Sequence, residues 1–169
     1  MPKPLRDLAF ADLSNELATT RAVLDRLPDG QFGWAPHEKS MTLGGLAAHM
    51  VTLLRMPPMV LSTDEVDLSG GRPPSPPLPD RAAVLSAFDA ASAGVRDALA
   101  AASDEALGAT WRLRMGEHTI AAGARREMLR HLFLSHLIHH RGQMTVYLRL
   151  LGVPVPPVYG PTADEGRLG

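Results

Sequence analysis

Cysteine is absent from this chain of 169 residues, which excludes disulfides, thiolate nucleophiles and Cys-ligated zinc together. A transition metal here would have to rest on His, Asp or Glu. A charge excess of either sign is also missing, since 17 basic residues stand against 18 acidic ones, and no net field draws in nucleic acid or an anionic membrane. The one basic cluster, Arg125-Arg126 with Arg130, is interrupted by Glu127. No apolar run approaches the roughly 18 residues of a membrane span. The N-terminal Met1-Pro-Lys-Pro-Leu-Arg-Asp turns polar within a few residues, unlike a secretory leader. The chain reads as cytoplasmic, with no nucleic-acid and no membrane partner.

What is present is apolar sequence at helical spacing. With 45% hydrophobic residues, the chain can bury a continuous core, and residues 1–169 read as one domain. Ala9, Phe10, Leu13, Leu17, Thr20, Leu24 and Leu27 predict a first helix over 5–27, stopped by Pro28-Asp29-Gly30. The connection Gln31 to Ser40 carries Phe32 and Trp34 and reads as an ordered loop. A second helix starts at Ser40 or Thr42, turns Leu43, Leu46, Ala47, Met50, Leu53 and Leu54 inward, and ends at Pro57-Pro58 or runs on to about Leu61. From Ser62 to Pro79, prolines and Gly70-Gly71 leave no periodicity, which predicts a long loop that serves as a lid, a binding loop or a solvated excursion. Asp80 caps a third helix reaching about Ala102. Trp111 to Met115 alternates like a short strand before the turn at Gly116-Glu117, a connection with the pattern of a small hairpin. The fourth helix is predicted from about Ala121 to Leu151, closed by Gly152 and the prolines beyond it. The fold class is therefore all-α, a four-helix bundle with a long loop between helices 2 and 3.

Four of the seven histidines crowd into the last helix, at His131, His136, His139 and His140. On a wheel of about 100° per residue, Leu129, Leu132, Phe133, His140, Gln143, Tyr147, Leu150 and Leu151 lie within roughly 60° of His136. Two imidazoles thus occupy an apolar face. Residues four apart share that face within reach of a common point, so His136 and His140 form half of a metal site. The third ligand must come from another helix, and the candidates are His49 on the second helix and Glu16 on the first; His37 and His118 lie in loops. Against this stands the plainer alternative of hydrogen-bonded core histidines, although burying two such rings without partners costs several kcal/mol. His139 reads as supporting the site from its edge and His131 as a surface residue. Gln143, one turn beyond His140, either orients a ligand or hydrogen-bonds the backbone, the structural reading being preferred, and Arg141 reads as pointing away from the core.

Ser40-Met-Thr-Leu-Gly-Gly-Leu-Ala-Ala-His49, followed by His136-Leu-Ile-His-His140-Arg-Gly-Gln143, resembles the DinB superfamily of metalloenzymes. Phe32 to Ser40, Tyr147 to Gly152 and the tail through Tyr159-Gly-Pro161 are similar to that family as well. The resemblance implies an up-down-down-up bundle, often homodimeric, with a divalent metal held by His49, His136 and His140. Three neutral imidazoles suit zinc or nickel, and also iron or manganese. Relatives of this kind include metal-dependent transferases of low-molecular-weight thiols such as bacillithiol or mycothiol, and a maleylpyruvate isomerase; the family's association with DNA damage does not imply DNA binding. The implied function is a metal-dependent thiol transferase or hydrolase acting on a small-molecule substrate. The alternative is a non-catalytic stress-response or interaction bundle with a structural metal.

Overall fold

The computed structural model describes residues 3–71 and 78–166. The first predicted helix is broken in two, α1 (Leu5–Ala9) and α2 (Leu13–Leu24). The second is likewise divided into α3 (Leu43–Leu53) and α4 (Met56–Ser62). Thr42 caps α3, its hydroxyl accepting from Gly45 N at 3.1 Å, and Pro57-Pro58 open α4 instead of ending a helix because the first turn needs no N–H donor there. Asp80 caps α5 (Arg81–Ala101) through Ala83 N at 2.8 Å. A short α6 (Asp104–Gly108) follows, and the chain closes with α7 (Arg125–Leu129), a π-helical stretch over Arg130–Ser135 and α8 (His136–Leu150).

The all-α expectation is corrected by a three-stranded sheet. Strands β1 (Glu65–Asp67), β2 (Thr110–Met115) and β3 (His118–Ala124) lie in that order, β1 parallel and β3 antiparallel to β2. The alternating segment from Trp111 is the hairpin it resembled, turning at Gly116 with φ 58°. Its second strand runs to Ala124, so the last helix begins at Arg125 rather than Ala121. Alanines 121, 122 and 124 favour helix locally, but their backbone is taken by the ladder to β2. β1 lies inside the segment expected to be a loop, and residues 72–77 of that segment lie outside the described residues.

Buried apolar side chains from all the long helices, with Trp111 of β2, form one continuous cluster. α2 and α3 each pack against both α5 and α8. Arg125 joins the sheet end to this body, donating to the carbonyls of Val60 (3.0 Å), Thr63 (2.9 Å) and Ala106 (3.3 Å). Trp111 Nε1 donates to Thr63 Oγ1 at 3.1 Å beside it. No helix among the described residues is long and apolar enough to cross a membrane.

Candidate metal centre

The buried axis of α8 is not centred on His136. Leu137, Met144 and Leu148 are fully buried, whereas Leu150 is 60% exposed and Gln143 is exposed. At about 100° per residue, Leu137, Met144 and Leu148 lie roughly 100° round from His136. The histidines therefore occupy the flank of α8 beside the core, facing α3. The error arises upstream, where buried Arg125, Leu129, Phe133 and Leu137 are spaced by four through the π-helical stretch. Each π turn holds an extra residue, so a constant angular step drifts along it.

α3 supplies His49 opposite this flank. Its ring centroid lies 5.2 Å from that of His136 and 4.5 Å from that of His140, both edge to face, while the His136 and His140 rings are 4.6 Å apart. One nitrogen from each of the three rings falls within 4.8 Å of the other two, and among the described residues this is the group that could hold a metal ion. His140 Nε2 and His136 Nε2 are 2.8 Å apart, one sharing its proton with the other. His140 is buried and the other two are half-buried. Further along the pair, Tyr147 donates to Met41 O at 3.1 Å and meets Trp34 edge to face at 5.6 Å. Residue 41 beside 147, with residue 49 beside 136 and 140, makes α3 and α8 antiparallel neighbours.

Burial pushes the His140 pKa below its ordinary value; the Gln143 hydrogen bond opposes that shift and His139 adds to it. A neutral imidazole, with a lone pair on one nitrogen, is the form a metal requires. The other nitrogen, Nδ1, lies 2.7 Å from Gln143 Oε1. Gln143 therefore bonds a ring of the group, the first of the two alternatives its position offered and not the preferred backbone contact. The exposed His139 ring stands 4.9 Å from His140 without joining the group.

The remaining candidates fall elsewhere. His37 accepts from Lys39 N at 3.1 Å in the first connection, His118 pairs with Met115 at the hairpin end, and His131 is exposed in the π-helical stretch. Glu16 is buried against α8, but its partner is Arg141, whose Nη2 lies 2.7 Å from Glu16 Oε2. The contact is an ion pair out of line for a hydrogen bond, and Arg141 Nη1 donates to Glu16 O at 3.2 Å. Arg141 is 1% exposed. The expectation that it points away from the core is wrong: it sits about 40° from Leu137 on α8, on the side facing α2. Tyr159 lies over the pair, donating its hydroxyl to Glu16 while its ring stands 5.0 Å from the guanidinium.

Antiparallel helices that bring three ring nitrogens to one point define a helical protein of the three-histidine type. The chain belongs to the DinB family, whose model matches residues 1–167. In fold it is similar to a DinB-like protein from Bacillus cereus ATCC 10987, at 23% identity and TM-score 0.69, covering 89% of this chain and 95% of that one. It is similar also to the DinB-like protein YjoA from Bacillus subtilis, at 16% identity and TM-score 0.67, covering 90% and 96%. The uncharacterized protein YrdA of Bacillus subtilis (strain 168) is 53% identical over 32 residues, 19% of this chain and 19% of that protein.

Proposed function

We propose that this protein is a divalent-metal-dependent enzyme whose ion is held by His49, His136 and His140. The convergence of three ring nitrogens from two helices within 4.8 Å carries the reading. The donor set fits the role. All three candidate ligands are imidazoles, and burial lowers the pKa of His140, favouring the neutral form that binds metal. Nitrogen donors of this kind suit zinc or nickel, with iron or manganese as further options, and three of them leave a coordination position for water or substrate. When bound, the ion lowers the pKa of water or of a substrate thiol, so that a nucleophile exists at neutral pH.

The chain's own residues bind the ion and fix its ligands, and the half-buried His49 and His136 are where a small molecule would approach. Glu16 is engaged by Arg141 and Tyr159 and supplies no base here. Transfer of a low-molecular-weight thiol and hydrolysis both draw on this arrangement. The family likeness adds a cytoplasmic homodimer with up-down-down-up helix order to the proposal.

Metal analysis of protein purified without a His tag tests the site. About one equivalent is expected, lost in His136→Ala; full metal content in the variant sinks the assignment. Thermal melting against metals and small thiols tests the activity, because a ligand of the folded state raises its melting temperature. A shift by thiol that requires metal supports the enzyme. A melt that responds to chelator but to no thiol points to a structural metal.

A further inference from the structure

We infer that Gln143 is a positioning residue, which fixes the tautomer of His140 so that Nε2 carries its lone pair toward His49 and His136. This rests on the metal-site reading above and specifies how one of its ligands is prepared. The side-chain oxygen of Gln143 lies 2.7 Å from His140 Nδ1, one helical turn away on the same flank of α8. An amide oxygen only accepts, so Nδ1 must be the protonated nitrogen and Nε2 the bare one. His140 Nε2, the opposite end of the ring, is the atom 2.8 Å from His136 Nε2.

Two geometric facts make this more than a local contact. The ring is held at both ends, by Gln143 at Nδ1 and by His136 at Nε2, which leaves it little freedom to turn. Gln143 is exposed, while the ring it holds is only 6% exposed. Its side chain fills no core space, and a purely structural residue at this position would have nothing to pack. A ligand histidine whose second nitrogen is held by an acceptor keeps its orientation and gains basicity, and loss of such a partner costs about 10–100-fold in metal affinity.

The test uses Gln143→Leu, which keeps the size and removes the acceptor, and Gln143→Glu, which keeps an acceptor at the same reach. Imidazole nitrogen NMR on the metal-stripped protein reads the tautomer directly. His140 is expected to be protonated at Nδ1 in the native chain and in Q143E, and to shift toward a mixture in Q143L. Zinc affinity is expected to fall about 10–100-fold in Q143L and to be largely retained in Q143E. A native His140 protonated at Nε2, or a Q143L protein with unchanged tautomer and zinc affinity, overturns the inference. His140→Ala separates it from the reading beneath: zinc binding undiminished in that variant overturns the metal site itself, and with it any role of Gln143 toward the ion. Weak binding by H140A with native binding by Q143L overturns Gln143 alone.

Discussion

Arg141 and His140 are adjacent on α8 and turn to different partners, Arg141 to Glu16 of α2 and His140 to His49 of α3. The histidines were legible in the sequence because His-x3-His has few uses on an apolar face; the arginine was not, because a charged side chain is expected at a surface. Glu16 lies on the inward stripe of Leu13, Leu17, Thr20 and Leu24, and the one basic residue of its own helix, Arg21, pairs with Asp89; that placement was the available signal that an arginine from another helix comes in to meet it. The pair is worth little more than apolar replacements, but removing one member leaves the other charge buried alone. Arg141→Met should cost on the order of 3–5 kcal/mol in urea unfolding, with much of it recovered in the Glu16→Gln, Arg141→Met double variant. A loss under about 1 kcal/mol, the value of a surface pair, contradicts the burial argument. His140 carries a second expectation. Burial holds its folded pKa below the ordinary 6.5, so the unfolded chain takes up a proton first as pH falls. Its contribution to the stability of the metal-stripped protein is then complete above the unfolded value and is lost as pH falls toward the folded one. Denaturation midpoints at pH 7.5 and 5.5 should fall further in the native chain than in His140→Gln; equal falls remove His140 from the account.

Among the elements, helices with a cap or a long apolar stripe were readable, and those whose ends depend on tertiary partners were not. Asp80 and Thr42 announce α5 and α3 because a side-chain acceptor satisfies the orphan N–H groups wherever the helix goes. Nothing comparable marks the boundary between β3 and α7. β3 stops at Ala124 only because its antiparallel partner β2 begins opposite it, at Thr110. β1 was hidden for the same reason, being three residues paired to a strand more than forty positions away. Arg125 holds this region through three carbonyls belonging to α4, the segment after it and α6. Its contact to Asp64 adds little, because that carboxylate is almost fully exposed. Arg125→Met should therefore leave these acceptors unsatisfied and destabilise the protein by about 2–4 kcal/mol. Hydrogen exchange at Arg112, whose N–H pairs with Asp64 O, should accelerate more than exchange in the middle of α5. Uniform acceleration would mean that Arg125 does not act locally.

At the scale of the whole molecule, helical periodicity was enough to read a mostly helical fold, whose buried apolar side chains form one cluster. Which helix faces which was not readable, since amphipathic stripes specify burial but not partners. The centre of the α8 stripe was also misplaced by the π-helical stretch, whose hydrogen-bond register is set by packing. The histidine group depends on that arrangement, because its members come from sequence positions about ninety residues apart and meet only when α3 lies antiparallel to α8. A metal held by all three would therefore tie α3 to α8, and its binding energy would appear as stability of the entire fold. Zinc at a hundred times its dissociation constant should stabilise the metal-stripped protein by about 2.7 kcal/mol. His49→Ala removes the only ligand contributed by α3. In that variant zinc can still meet His136 and His140, but both lie on one helix, so the tie is lost. The melting temperature of His49→Ala should then respond weakly to zinc even where some binding persists. A native-sized zinc response in His49→Ala would show that the ion does not bridge the two helices.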